Sequence, residues 1–178
     1  MTRRLPIALA LGVTLTGLAL LGAGAAGLRV NATASMPRGL WRVAPAAGPI
    51  PRGAIVSLCL PPGPLLRLAL RRGYLDAGRC PGGAEPLLKP VAAIAGDVVR
   101  ITAAGIAVNG ALLPNSAARK QDSAARPLSP LPPGTYRVAP GAVWVVSSYA
   151  GKSFDSRYFG AVPVSAVRGT AQPVWVFP

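Results

Sequence analysis

The chemistry open to this chain is limited first by a residue type that it lacks. The 178-residue sequence contains no histidine, which excludes a Ser-His-Asp or Cys-His nucleophilic site and any histidine metal site. Two cysteines alone cannot form a structural zinc site. An enzyme working near neutral pH would therefore draw its base from lysine or from the five carboxylates, which are Asp76, Glu85, Asp97, Asp122 and Asp155.

Lysine is the first choice for that base. Arginine holds its proton too tightly to serve, whereas a desolvated lysine can lose its proton near neutrality. The chain has three lysines against sixteen arginines, which favours lysine being kept where arginine cannot act, with chance placement as the alternative. Lys89 lies among Leu87, Leu88 and Val91, an apolar setting that lowers a lysine pKa. A serine hydroxyl becomes a good nucleophile when such a base accepts its proton.

The N-terminal segment predicts a membrane anchor. Residues 1–4 contain two arginines, and residues 5–28 contain no charge. At about 1.5 Å per residue, this apolar stretch exceeds the ~30 Å hydrocarbon core of a bilayer. We expect residues 1–30 to form a cytoplasmic tip and one transmembrane helix in the bacterial inner membrane. Residues 31–178 would then form one domain on the periplasmic side, because the two arginines stay in the cytoplasm.

A cleaved signal peptide is the alternative interpretation of this segment. Ala32-Thr33-Ala34 has the small-x-small pattern of a cleavage site, and so does Ala23-Gly24-Ala25. Cleavage after Ala34 would make Ser35 the first residue of the mature chain. Signal peptides usually have a shorter apolar core, about 7–15 residues, which favours the uncleaved anchor.

The periplasmic part is predicted to be mostly β structure. Gly and Pro, at 21 and 20 residues, are dispersed among Val, Ile and Leu, as is typical of many short strands and turns. Residues 114–133 are polar and proline-rich and predict a long surface loop. Strands are expected at residues 40–43, 54–60, 87–91, 97–101, 105–108, 136–138, 143–147 and 174–177.

One helix is predicted, within a helix-and-loop excursion at residues 61–86. Its pattern covers residues 65–75, with Leu65, Leu68 and Leu75 on a common face and arginines outward.

Cys59 and Cys80 are the two cysteines of the chain. Disulfides are permitted in the periplasm, and closing this loop would stabilise the fold by about 3 kcal/mol. The alternative is a pair of buried free thiols.

The net charge of +14 indicates nucleic acid, an anionic membrane surface or an acidic partner. The basic residues occur as singles and pairs, without a basic stripe carrying interleaved aromatics, so we expect no nucleic-acid partner.

Three boxes, in order along the chain, resemble those of type I signal peptidases. They are residues 35–39 (SMPRG), 89–99 (KPVAAIAGDVV) and 153–160 (SFDSRYFG). Four segments are similar to the conjugative-transfer, TraF-type branch of that family: residues 35–41 (SMPRGLW), 72–75 (RGYL), 86–91 (PLLKPV) and 159–163 (FGAVP). The housekeeping enzymes usually have arginine after the lysine and an Asn/Arg-rich start to the last box, where this chain has Pro90 and residues 149–152 (YAGK). These departures favour a specialised substrate over a general secretory role.

The resemblance implies a serine peptidase with a signal-peptidase-like fold of antiparallel sheets. Ser35 would be the nucleophile and Lys89 the general base, with the Ser153 hydroxyl orienting the lysine amine. The Thr33 hydroxyl would be the second oxyanion donor, beside the Ser35 backbone N–H. We expect no cofactor and no metal.

Three further residues are expected to support this site. Asp155 and Arg157 would form an ion pair that holds the wall of the site, and a more direct role for Asp155 is the alternative. Met36 would pack near the scissile bond.

The implied function is endoproteolysis of an exported precursor polypeptide at the inner membrane. Its substrates would be pilin or related subunits of a conjugative transfer (type IV secretion) system, with small residues before the cut. Hydrolysis and cyclisation of the acyl-enzyme both remain open. The first alternative is a non-enzymatic, membrane-anchored assembly factor that uses its positive charge on lipid or an acidic partner. The second is a self-cleaving regulator on the same serine–lysine fold, which the anchor and the lack of a DNA-binding module disfavour.

Overall fold

The computed structural model of the protein describes residues 26–177. The predicted anchor therefore lies almost wholly outside the described residues, and within 26–177 no helix combines the length and apolar character needed to cross a bilayer. Leu28–Asn31, which includes the end of the predicted anchor, forms a strand that pairs residue by residue with residues 39–42 of the strand Gly39–Ala44. Its backbone groups are satisfied within a sheet rather than within a helix.

The described residues form short strands and few helices, as the dispersed Pro and Gly predict. The strands are β1 (Leu28–Asn31), β2 (Gly39–Ala44), β3 (Ile55–Leu58), β4 (Leu87–Ile94), β5 (Val98–Thr102), β6 (Gly105–Val108), β7 (Ala111–Leu112), β8 (Gly134–Arg137), β9 (Ala142–Val145), β10 (Val162–Pro163) and β11 (Val167–Val176). The helices are α1 (Pro64–Arg72), α2 (Ser156–Phe159) and a 3-10 turn at Val164–Ala166.

The strands form two antiparallel sheets, which confirms the predicted mostly-β fold. The larger sheet has the order β1-β2-β11-β3-β4-β9-β10, and the smaller has the order β7-β6-β5-β8. The main hydrophobic core joins β3, β4, β9 and β10 to α1 and to the aromatic side chains of Phe154 and Tyr158. A second core lies on the smaller sheet. Strand β4 contributes side chains to both cores, so its residues are held from two sides.

The predicted helix exists but ends before Leu75, and of its predicted face Leu68 packs from the helix against the core. Helix α1 ends at Arg72, because Gly73 adopts a left-handed conformation with φ of 68° that closes the helix. Leu75 therefore lies beyond the helix and reaches the core from the following loop. The residues that α1 buries are Leu66 and Ala69, one helical turn apart.

The structure contains the disulfide between Cys59 and Cys80. It joins the residue after β3 to the loop that follows α1, and both cysteines are buried. The later part of the excursion at residues 61–86 is thus tied to the residue that follows β3. Loop closure of this kind stabilises by about 3 kcal/mol.

Candidate active site

Lys89 is buried because of its position in strand β4. Side chains alternate between the two faces of a strand, so Lys89 shares a face with Leu87 and Val91, which belong to the main core. Only 3% of Lys89 is exposed. Burial lowers the pKa of Lys89 from 10.5 to about 8, the negative charge of Asp155 opposes this shift, and the positive charge of Arg157 adds to it. A substantial fraction of this amine is uncharged just above neutral pH.

Ser35 faces the same cavity as Lys89. It lies half-buried in the loop between β1 and β2, and both side chains line a cavity of about 310 Å³, which we call the nucleophile cavity. Ser153, from a loop far along the chain and 3% exposed, donates its hydroxyl to Oγ of Ser35 at 3.2 Å. The structure therefore brings together three of the residues that the sequence singles out, with Ser153 bonded to the serine rather than to the lysine.

Asn31 organises the loop that carries Ser35. Its side-chain amide donates to the backbone carbonyls of Thr33, Met36 and Pro37, each at 3.0 Å. Its Oδ1 accepts the backbone N–H of Thr33 at 3.2 Å and the Thr33 hydroxyl at 2.8 Å. One largely buried side chain thus holds the backbone on both sides of Ser35. Sequence reasoning missed Asn31, although an asparagine bonded to the N–H two residues ahead is the common Asx turn.

Thr33 and Met36 are placed differently from one another. Thr33 is exposed and lines the nucleophile cavity, while its hydroxyl hydrogen is donated to Asn31 rather than toward the cavity. Met36 is 1% exposed and packs with Trp41 and Ala171 beneath the loop. Among the backbone hydrogen bonds of residues 26–177, none is donated by the N–H of Ser35.

Asp155 and Arg157 form the predicted ion pair, fully buried at the wall of the site. Nη2 of Arg157 lies 2.7 Å from Oδ2 of Asp155, and both side chains are 0% exposed. Arg157 also donates to the carbonyls of Ala150 and Gly151, at 3.4 and 3.2 Å. The pair therefore fixes the loop that leads into Ser153.

Ser147, which sequence reasoning also missed, connects this ion pair to the loop between β1 and β2 that carries Ser35, which we call the nucleophile loop. Its backbone N–H donates to Oδ2 of Asp155 at 3.0 Å, and its hydroxyl donates to the backbone carbonyl of Ser35. No pattern in the sequence marks Ser147, because both contacts depend on how strand β9 is placed.

Among residues 26–177 no group of three or more metal-ligating side chains is assembled.

The sequence of the chain matches a known family. The family model described as "Signal peptidase, peptidase S26" matches residues 3–176 of the chain. The chain belongs to this family. The signal peptidase family is one of peptidases.

Relatives of this chain carry names that refer to conjugal or plasmid transfer. The probable conjugal transfer protein TraF of Sinorhizobium fredii is 41% identical over 153 residues, covering 85% of this chain and 78% of its own length. The conjugal transfer protein TraF of Agrobacterium fabrum is 40% identical, covering 93% of this chain and 92% of its own. The plasmid transfer protein TraF of Escherichia coli is 42% identical, covering 89% and 90%. The predicted resemblance to the TraF-type branch is confirmed.

A solved structure also matches the chain. The crystal structure of a signal peptidase I from Enterococcus faecalis is 20% identical and covers 69% of this chain and 97% of its own, with a TM-score of 0.38. Membership in the signal peptidase family is established by the sequence match over residues 3–176.

Proposed function

We propose that this protein is a membrane-anchored serine endopeptidase in which Lys89 takes the proton of the Ser35 hydroxyl. The observation that carries the proposal is the buried amine of Lys89, with a pKa of about 8, in the same cavity as the Ser35 hydroxyl. A general base is most effective when its pKa lies near the working pH. The chain has no histidine to take this part.

The proposed reaction begins when neutral Lys89 accepts the Ser35 proton and Oγ attacks the carbonyl carbon of the scissile peptide bond. The Ser35 N–H stabilises the oxyanion of the tetrahedral intermediate, and a shift of the Thr33 hydroxyl from Asn31 would add a second donor. The peptide C–N bond then breaks, and the protonated lysine returns its proton to the leaving amine. An acyl-enzyme on Ser35 remains, and water or an incoming amine resolves it.

We propose as substrate an exported precursor, a pilin or related subunit of a conjugative transfer system. The support is the naming of relatives that are about 40% identical over most of this chain. The nucleophile cavity, about 310 Å³ and bordered by Ala32, suits small residues before the cut. In the cell the peptidase domain would lie on the periplasmic side of the inner membrane, held there by residues 1–30.

The test is incubation of the full-length protein in detergent with candidate exported precursors. Wild type is compared with Ser35→Ala and Lys89→Ala, and with Lys120→Ala as a matched control for loss of an exposed lysine. We expect cleavage by wild type and the control alone. Cleavage by both site variants at the wild-type rate would contradict the assignment of Ser35 and Lys89, and no cleavage by wild type would favour a non-enzymatic assembly factor.

Two mass measurements complete the test. A product lighter by one water than the linear fragment shows that an amine of the substrate resolved the acyl-enzyme, and a product of full mass shows hydrolysis. The intact mass of the membrane-extracted protein shows whether residues 1–34 are retained. A mature chain beginning at Ser35 would contradict the proposed anchor.

A further inference from the structure

A second cavity lies beside the nucleophile cavity. It encloses about 540 Å³, and we call it the basic cavity. Its lining comes from the end of α1, from residues 119–128 of the long loop, and from residues 152–158. Tyr74, Lys152 and Phe154 line both cavities. Because three side chains line both cavities, the basic cavity lies next to the cavity that contains Ser35.

The basic cavity is lined by four cations and one carboxylate. The carboxylate, Asp122, is already saturated with donors: Nε of Arg126 at 2.7 Å, the Tyr74 hydroxyl, and the backbone N–H groups of Ala124 and Arg126. Burial raises the pKa of this carboxyl, but these hydrogen bonds outweigh it and hold the pKa well below its usual range. Asp122 is thus ionised and neutralises about one of the four positive charges.

The four cations of the basic cavity differ in how firmly the protein holds them. Arg72 is held by the carbonyl of Pro127 at 2.7 Å, and Arg126 by Asp122. Arg119 and Lys152 are exposed, and neither has a carboxylate within 4.0 Å among residues 26–177. The basic cavity therefore has two cations without a carboxylate partner among the described residues, Arg119 and Lys152. Its other two cations, Arg72 and Arg126, are held in place by hydrogen bonds.

We propose that the basic cavity is a substrate subsite that binds a carboxylate of the polypeptide being cut. This inference rests on the proposed function, since it names the chemistry by which that site selects its substrate. Carboxylates are matched in charge by lysine and in bidentate geometry by arginine. Two sources have this chemistry, an acidic side chain and the C-terminal carboxylate of the substrate, and the experiment separates them.

Binding is measured on full-length Ser35→Ala protein, so that no turnover is needed. The probes are three peptides with the same N-terminal fluorophore. They are Ser-Glu-Ser-Glu-Ser-amide, Ser-Gln-Ser-Gln-Ser-amide and Ser-Gln-Ser-Gln-Ser with a free C-terminal carboxylate. Binding of each peptide is measured by fluorescence anisotropy at fixed salt. We expect the first to bind more tightly than the second if side chains are recognised. Tighter binding of the third than of the second identifies the C-terminal carboxylate.

The variants show whether the basic cavity is responsible. In Ser35→Ala protein, Arg119→Gln with Lys152→Gln should weaken binding of the anionic peptide roughly fivefold, as two partly exposed ion pairs would. Arg119→Lys keeps the charge and should retain most of the binding. Arg100→Gln, which removes an exposed arginine of β5 outside both cavities, controls for the general attraction of a +14 protein and should bind as before.

The outcomes separate this inference from the proposed function. Equal loss in Arg100→Gln and in the double variant, or no preference for either carboxylate peptide, overturns the subsite. Should the double variant fail to fold, shown by its melting curve, Arg119→Gln alone gives the same comparison. Carboxylate binding that depends on Arg119, in a protein whose wild type cuts no precursor, would overturn the proposed function and keep the site.

Discussion

The hydroxyl oxygens of Ser153 and Ser35 lie 3.2 Å apart, although the two serines are 118 positions apart in the sequence. In this bond Ser153 donates and Ser35 accepts, so the hydrogen of Ser35 remains free to move to a base. The bond also restricts rotation of the Ser35 side chain, which keeps Oγ in one orientation within the nucleophile cavity.

Replacing Ser153 by alanine should lower kcat by roughly tenfold to a hundredfold, because an unrestrained Ser35 hydroxyl samples unproductive orientations. Steady-state kinetics across pH measure both the rate and the position of its rise. We expect the rise to stay near pH 8, since Lys89 receives no hydrogen bond from Ser153 among the described residues. A clear displacement of that rise in Ser153→Ala would instead mean that Ser153 acts on the lysine.

Asn31 should matter for rate more than for substrate binding. Asn31→Asp keeps the acceptor for Thr33 but loses the donors to the carbonyls of Met36 and Pro37. A Ser35 displaced by a fraction of an ångström should reduce kcat by up to about a hundredfold, with KM nearly unchanged and the protein still folded. Gln172→Ala, which removes an exposed amide from β11, is the control. Wild-type kcat in folded Asn31→Asp would contradict a positioning role.

Breaking the buried ion pair should destabilise the domain. Asp155→Asn leaves the guanidinium of Arg157 buried without its counter-charge, which typically costs about 3–5 kcal/mol. Chemical denaturation of Asp155→Asn, Arg157→Met and the double variant measures the coupling. We expect the double variant to lose less stability than the two single losses combined. Strict additivity would show that the two charges do not depend on one another.

The buried ammonium of Lys89 should lower the free energy of unfolding of the wild-type protein. Below pH 8 the ammonium is charged and buried, so Lys89→Met should raise the free energy of unfolding by up to about 3 kcal/mol while abolishing cleavage. Between pH 8 and 10.5 the unfolded wild type holds a proton that the folded protein has lost. Wild-type stability therefore rises with pH in this window, and the advantage of the variant shrinks.

Denaturation of both proteins at several pH values checks the prediction for Lys89. Lys120→Met, at an exposed lysine, keeps Lys89 and should therefore follow the wild-type dependence on pH. A Lys89→Met protein that is less stable than wild type at pH 7 would mean that the amine is not buried as described.

The sequence predicts best what depends on neighbours along the chain. The burial of Lys89 follows from Leu87 and Val91, since residues two apart share a face of a strand. Helix α1 exists where its leucine pattern predicts it, but its end depends on the single left-handed residue Gly73. The predicted face included Leu75 because the pattern alone does not show where the helix stops.

Contacts between distant segments could not be predicted. Ser147 meets the nucleophile loop through a hydrogen bond to the Ser35 carbonyl, which forms only after β9 takes its place. Strand β11 extends from Val167 to Val176, although the sequence predicts only residues 174–177. Its first part contains Gly169 and Pro173, which weaken a strand pattern, and it is held by pairing with β2 on one side and β3 on the other.

The most direct test of the central claim is the rate at which Ser35 is acylated as a function of pH. Full-length protein is mixed with the p-nitrophenyl ester of acetyl-Ala-Ala-Ala, release of nitrophenolate gives the rate, and peptide mapping by mass spectrometry locates the acyl group. We expect acylation of Ser35 in wild type that rises with an apparent pKa of about 8, and none above background in Lys89→Met. Acylation of Ser35 in Lys89→Met at the wild-type rate, or a wild-type rate that does not change between pH 6 and 10, would contradict the central claim.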